Sequence, residues 1–341
     1  MTELRWRLAD DDGGQAALFA QEVERHIGRG EFRGMEFLHV AARRVVNEVP
    51  KASRMPFRWT INAYRGCSHA CTFCFARPTH EYLGMNSGDD FDRRIVVKIN
   101  AVERVRAELS PGRWAGDHIA MGTNTDPYQR CEGKYRLTQG IVGELSAAAN
   151  PFSILTKSTL ILRDLDLLSE AARRTQVRAN FSIATLDEEV WRTSEPGTPH
   201  PLRRIEAVAK LNEAGVPCGV LVAPVLPGLS DDPDQLEAVV KACVEAGAVS
   251  ITPLLLHLRA GVREHYLDWL AGARPDLLGR YSGLYPTAYA PKRSQDELAV
   301  LVRTLVARHG GRSVPPGKTR AVPPKPAALP APMVSQLQLG M

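Results

Sequence analysis

The chain reads as an α/β protein in which six βα repeats build a partial, open (β/α)6 version of the eightfold TIM-like barrel, with an N-terminal extension and a flexible C-terminal tail. Two observations predict this. From Phe57 onward, short β-branched or apolar segments alternate with longer segments of helical periodicity, the pattern of βα units feeding a parallel sheet. The residues least suited to a core fall just after the strand segments, where parallel barrels place their sites.

Residues 1–53 are expected to form the extension: an acidic start at Asp10–Asp12, an amphipathic helix near Gln15–Ile27, and a capping strand within Gly34–Val40. Residues 54–310 are expected to form the barrel. Its strands are predicted near Arg58–Ala63, His118–Gly122, Phe152–Leu155, Arg178–Ala184, Pro217–Ala223 and Val249–Pro253. Helices are predicted near Ala101–Leu109, Thr138–Ala149, Leu160–Arg173, Pro201–Ala214, Pro233–Ala246 and Val262–Leu270. The fifth helix is the clearest, because Asp232 caps it, Pro233 suits its first turn and Gly247 stops it. Arg94–Lys98 is a further short strand, a side element before the first helix.

A chain of 341 residues with 44% hydrophobic content buries a large core as one barrel. No apolar run approaches a membrane span and the start lacks an export-type apolar segment, so a cytoplasmic protein without membrane contact is expected. A net charge of +5 permits nucleic acid as a partner without indicating it.

Three of the 6 cysteines crowd into one loop after the first barrel strand, Cys67, Cys71 and Cys74, spaced C-x3-C-x2-C. Three close thiolates suit zinc, an iron-sulfur cluster or a redox pair. Structural zinc takes four protein ligands, usually as two separated pairs, and there is no second C-x-x-C; His69 or His80 would have to complete the set. Cys131, Cys218 and Cys243 lie far apart in unlike contexts. A [4Fe-4S] cluster on three cysteines leaves one iron without a protein ligand, the mark of a catalytic centre.

This loop resembles the signature of the radical S-adenosylmethionine (radical SAM) superfamily, whose (β/α)6 partial barrel agrees with the repeat count. The resemblance implies a [4Fe-4S] cluster on Cys67, Cys71 and Cys74 whose free iron is chelated by S-adenosylmethionine. It also implies reductive cleavage to methionine and a 5'-deoxyadenosyl radical that abstracts hydrogen from a substrate, fed by an electron donor such as flavodoxin or ferredoxin. Phe75 stands where the family has an apolar residue against the adenine. The turn after the second strand, Gly122, Thr123, Asn124, Thr125, Asp126, stands where the family holds the methionyl amino group, with Gly-Thr-Asn-Thr-Asp in place of Gly-Gly-Glu. Backbone carbonyls there accept from an ammonium whatever the side chain. Lys157 and Ser182 resemble contacts to carboxylate and ribose in the spore photoproduct lyase branch. Arg204 is expected to pair with the methionyl carboxylate or with Glu195.

The run Tyr64–Tyr82 together with Thr125–Gln129 looks like that same branch, which contains spore photoproduct lyase and uncharacterised bacterial relatives, and the likeness spans about Arg54 to Leu270. The second-strand turn lacks the hydrogen-donating cysteine of the photoproduct lyases, with Cys131 several residues beyond, so thymine-dimer reversal does not carry over. The substrate is left open, nucleic-acid related being one option. The alternative is a zinc- or iron-sulfur-bound, non-catalytic nucleic-acid-binding protein recruited through its tail. After Glu297 no acidic residue follows, prolines crowd Pro315–Pro332, and residues 311–341 are expected to be disordered. The final Gln336–Leu339 resembles the peptide by which DNA-maintenance proteins grip the polymerase sliding clamp, with Gly340 where Phe is expected.

Overall fold

The computed structural model describes residues 23–50, 53 and 55–311. The proline-rich tail and the clamp-like Gln336–Leu339 lie outside the described residues. In chain order the elements are β1 (Glu24–Ile27), β2 (Glu36–Val40), β3 (Val46–Glu48), β4 (Trp59–Ile61), β5 (Tyr64–Arg65), α1 (Asp89–Arg93), β6 (Arg94–Lys98) and α2 (Ala101–Glu108). There follow β7 (Ile119–Met121), α3 (Glu132–Tyr135), α4 (Leu137–Ala147), β8 (Phe152–Thr156), α5 (Leu165–Arg174), β9 (Val177–Ser182), α6 (Glu188–Ser194) and α7 (Pro201–Glu213). The chain then forms β10 (Cys218–Val225), α8 (Pro233–Glu245), β11 (Ile251–Leu255), α9 (Val262–Ala273), α10 (Leu278–Leu284) and α11 (Lys292–Arg308).

The main sheet runs β11-β10-β9-β8-β7-β4-β3. From β4 to β11 every neighbouring pair is parallel and in chain order, and β3 closes one edge antiparallel to β4. All six predicted barrel strands are present. Among the described residues no ladder joins β11 back to β3, so the barrel is open. A parallel sheet must be covered by its crossover helices. Ile119, Ile154, Ala179 and Val220 of the strands pack with Leu145, Leu168, Leu211, Val240 and Val302 of the helices, and all of them are buried. Cap chemistry places the helix starts as expected: the Asp232 carboxylate accepts from the backbone N–H groups of Asp234 and Gln235, and Pro233 opens α8.

Three expectations are corrected. Residues Glu24–Ile27, predicted as the end of an amphipathic helix, are the strand β1, because β2 offers them a pairing edge that local periodicity does not reveal. The third helix begins as a 3-10 turn over Thr159–Asp164 before α5, with the Ser158 hydroxyl accepting from Leu160 N. The predicted helix Val262–Leu270 is present as α9, but the helix packed on β11 is α11, for which no helix was predicted. Val302 and Leu305 enter the main core, and Arg308 Nη1 donates to Glu237 of α8 at 2.9 Å.

The α9 helix instead joins α10 in a second core with Cys71, Phe73, Leu226 and Leu256, in which Tyr266 and Tyr281 share a hydrogen bond of 2.9 Å. A second sheet, β1-β2-β6-β5, carries the side strand Arg94–Lys98, and β5 leads straight into the cysteine loop. Replacing buried Leu305 by Ala should lower the unfolding free energy by about 2–4 kcal/mol, the usual cost of a large-to-small core change. The check is denaturant titration, in which the midpoint should fall with the slope unchanged; no shift would remove α11 from the cooperative core.

Candidate active site

The cysteine loop lies between β5 and a 3-10 helix at Arg77–Leu83, and it has little regular structure to satisfy its backbone. Its partners come from elsewhere. The Arg77 guanidinium is wholly enclosed: Nε and Nη2 donate to Cys71 O at 3.0 and 2.9 Å, Nη1 donates to Ser87 O and Gly88 O, and Nη2 pairs with Asp92. On the opposite side Gln129 Nε2 and Thr125 Oγ1 donate to Gly66 O at 3.0 and 2.6 Å, while Ser68 N donates to Gln129 Oε1. Gly197 seals a third side, donating its N–H to His69 O at 3.0 Å. A Cβ there would stand 2.1 Å from Ser68 O, so only glycine allows the α6–α7 loop to lie against the cysteine loop.

Cys67 and Cys71 are buried and Cys74 half-buried. Burial raises all three thiols, and for Cys67 the charges of Asp126, Cys71 and Cys74 add to the rise. They do not gather within the 4.8 Å over which groups sharing a single ion would lie. Four thiolates around one zinc at about 2.3 Å would be about 3.8 Å apart, so a mononuclear zinc site is not assembled here. Neither histidine completes one: His69 Nδ1 stands 3.4 Å from Asp126 Oδ2, and His80 Nε2 lies 2.9 Å from Arg94 O.

The strand ends meet the loop at Cys71. Along β8 and β9, buried positions such as Phe152, Ile154, Ala179 and Phe181 alternate with Ser153, Leu155 and Asn180. Lys157 and Ser182 continue the latter, lumen-facing set. Lys157 Nζ donates to Ser182 Oγ at 2.9 Å and to Glu195 Oε1 at 2.5 Å, and it lies 5.3 Å from the centre of the Phe73 ring. Ser182 Oγ donates to Ala223 O, which ties β9 to β10. The buried Arg204 places Nη2 2.7 Å from Glu195 Oε2 and donates to Pro199 O, Ser182 O and Thr198 Oγ1. Of the two partners the sequence offered, Glu195 is therefore the one Arg204 meets.

Burial would raise the Glu195 carboxyl, but Arg204 and Lys157 on either side bring it down to about 2. The same charges act on Cys71: burial pushes its thiol up, Lys157 and Arg204 draw it down, and Glu195 and Cys74 push it up.

Gly122 closes β7 at φ +91, with its α-carbon so near Leu155 that a Cβ would meet Leu155 O at 2.0 Å. The next residues are fixed by buried Asn62, whose Oδ1 accepts from Asn124 N at 3.2 Å and whose Nδ2 donates to Thr123 Oγ1 at 3.3 Å. Asp126 is held below the ordinary carboxylate range: burial alone would raise it, but His69, Lys157 N and Thr156 Oγ1 outweigh that. Phe75 packs with Cys67, Cys74 and Phe91, its ring 6.0 Å from His257, which stacks in turn on Tyr289 at 5.6 Å.

The structure thus gathers Lys157, Ser182 and Arg204 around the buried Glu195 carboxylate, whose charge reaches Cys71, while Cys67 lies near Asp126. Gly122, Thr123 and Asn124 lie on a neighbouring strand end, and Phe75 packs within the cysteine loop. Sequence reading missed Asn62, Gln129 and Asp126 as organising residues, because each acts on residues far away in the chain.

Comparison with known proteins identifies the family. Residues 61–242 match the family model of the radical SAM superfamily. An uncharacterized protein of Mycobacterium tuberculosis and one of Mycobacterium bovis are each 43% identical over 324 residues, spanning 94% of this chain and 95% of theirs. A radical SAM Nalpha-GlyT isomerase of Pseudomonas phage M6 is 27% identical over 164 residues, 48% of this chain and 32% of that protein. Among solved structures, spore photoproduct lyase complexed with dinucleoside spore photoproduct superposes with a TM-score of 0.59 at 18% identity, covering 81% of this chain and 80% of that one. A variant of that lyase with bound AdoMet and the same dinucleoside gives 0.58 at 17% identity, with 77% of each chain covered. These likenesses establish a shared fold. With more than half of its residues inside the family model, the chain belongs to the radical SAM superfamily and is an enzyme that works with S-adenosylmethionine and an iron-sulfur cluster.

Proposed function

We propose that Cys67, Cys71 and Cys74 hold a [4Fe-4S] cluster with one iron left for S-adenosylmethionine, and that the enzyme acts on a nucleic-acid-related substrate. The observation that carries the cofactor reading is the nearness of the cysteine loop to the Lys157–Ser182–Glu195 set: Lys157 Nζ lies 5.3 Å from the Phe73 ring, and the charges of Lys157 and Glu195 act on Cys71. The donor set fits such a cluster: three sulfurs from one short loop, spaced too widely for one ion, on a loop whose shape is set by Arg77 and Gln129. When bound, the two cofactors supply reductive cleavage to methionine and a 5'-deoxyadenosyl radical that abstracts hydrogen from the substrate.

The protein's share is to bind and orient. Carbonyls of the Gly122–Asn124 turn accept from the methionyl ammonium, Lys157 and Ser182 face its carboxylate and ribose, and Phe75 covers the adenine. Arg204 serves as a positioning residue, acting through Glu195. An electron donor such as flavodoxin or ferredoxin completes the system. Cys131 is fully buried in the main core with Tyr64 and Tyr128, so it supplies no hydrogen atom at the rim.

For the substrate, two observations support the reading. The lyase of the same fold was solved with a dinucleoside photoproduct. A file of rings also leads outward from the cysteine loop: Phe75, then His257, then Tyr289, half of which is exposed and whose hydroxyl accepts from Arg259 at 3.1 Å. Burial and Arg259 hold His257 below its ordinary value, so at neutral pH it presents an uncharged face. Stacked rings beside an exposed guanidinium are the surface on which unpaired bases rest.

Three outcomes are expected. Under anaerobic, reducing conditions the reconstituted protein should form 5'-deoxyadenosine, faster with DNA present, and Cys71→Ala should abolish both iron retention and turnover; undiminished turnover would reject the cluster assignment. Tyr289→Ala should weaken single-stranded DNA binding about tenfold while leaving DNA-free deoxyadenosine formation unchanged, as measured by fluorescence anisotropy. Glu195→Gln should cost about 3–5 kcal/mol at neutral pH by leaving buried cations unmatched. In the wild type the Glu195 contribution is full above pH 4.5 and is lost as pH falls toward about 2, because the folded carboxyl sits below its unfolded value. Urea midpoints taken from pH 7 downward should therefore fall less steeply in the variant.

A further inference from the structure

Away from the cysteine loop, three metal-ligating side chains converge on the second sheet. β1 and β2 pair antiparallel with Glu24 opposite His39, so the pleat sets Glu24, His26 and His39 on one face. A donor atom from each of the three lies within 4.8 Å of the other two. The His26 and His39 rings stand 3.9 Å apart, tilted by 34°.

The contacts within the group are not those of a hydrogen-bonded cluster. His26 Nε2 lies 3.0 Å from Glu24 Oε1, yet it is shielded from water and makes no hydrogen bond, because the N–H direction misses the carboxylate. A ring nitrogen and a carboxylate oxygen that approach without a proton between them have the spacing of two ligands on one ion: with bonds of about 2.0–2.1 Å, neighbouring tetrahedral ligands are about 3.3 Å apart.

His39 Nε2 lies 2.8 Å from the Tyr135 hydroxyl. That contact fixes the ring from outside, as the second nitrogen of a metal-ligating histidine is usually fixed, and leaves Nδ1 for a ligand. Two imidazoles and one carboxylate form a borderline donor set that suits zinc, whereas magnesium and calcium ask for oxygen throughout.

We propose that Glu24, His26 and His39 bind one zinc ion with a fourth position open to water. The ion would clip β1, a four-residue edge strand, to β2, in the same sheet as β5 from which the cysteine loop departs. The site is independent of the cofactor assignment.

The test is calorimetric titration of the full, cluster-loaded chain with zinc chloride, repeated with magnesium chloride and on a protein carrying Cys67→Ala, Cys71→Ala and Cys74→Ala together. One zinc per chain in both proteins, without uptake of magnesium, is expected. Glu24→Gln and His26→Gln should each weaken zinc binding at least tenfold. Their side chains are 71% and 39% exposed, so the metal-free variants should unfold at the wild-type midpoint. Cobalt substituted at the site should show no thiolate-to-metal charge-transfer band. Absence of zinc uptake, zinc binding that neither variant alters, or a thiolate band in the protein lacking the three loop cysteines would overturn the site.

Discussion

Everything at the barrel mouth depends on holding an irregular loop in one shape. A segment without helix or strand ladders must find partners for its buried backbone groups elsewhere or lose several kcal/mol. Here they come from three directions: Arg77 from the loop's own C-terminal side, Thr125 and Gln129 from the turn after β7, and Gly197 from the α6–α7 loop. The backbone that carries the sulfurs is consequently fixed by side chains and backbone outside the cysteines themselves. Arg77 matters most, since one enclosed guanidinium gathers carbonyls of Cys71, Ser87 and Gly88 and is neutralised by Asp92.

Glu195 extends the same logic from backbone to charge. A buried carboxylate is costly alone, and so are a buried lysine and arginine. Together Lys157, Glu195 and Arg204 make a compact set in which each charge has a partner, and the set joins β8, the α6–α7 loop and α7 beside Cys71. Such a set orders the strand ends before any cofactor arrives, so binding need not pay for their organisation.

Much of the scaffold was legible in the sequence because it is written in local pattern: alternation of apolar segments gave all six barrel strands, and Asp232 and Pro233 announced α8. The cysteine spacing was legible for the same reason. What escaped reading was long-range. Glu24–Ile27 has helical-looking periodicity, yet it becomes a strand once β2 supplies an edge. α11 was passed over because Val262–Ala273 comes first in the chain and looks equally amphipathic, and only packing decides which helix covers β11. Asn62, Gln129 and Asp126 are unremarkable polar residues until the strands bring them to the loop.

The unjoined edges of the main sheet have a mechanical consequence. In a fully closed cylinder, any change of diameter breaks ladder hydrogen bonds somewhere around the ring. Here, among the described residues, no ladder joins β3 to β11, so the gap between these two edges is set by side-chain packing and not by strand hydrogen bonds. The lumen is a cuff with a slit along one side, and its bore can be altered by repacking side chains without unzipping a strand pair.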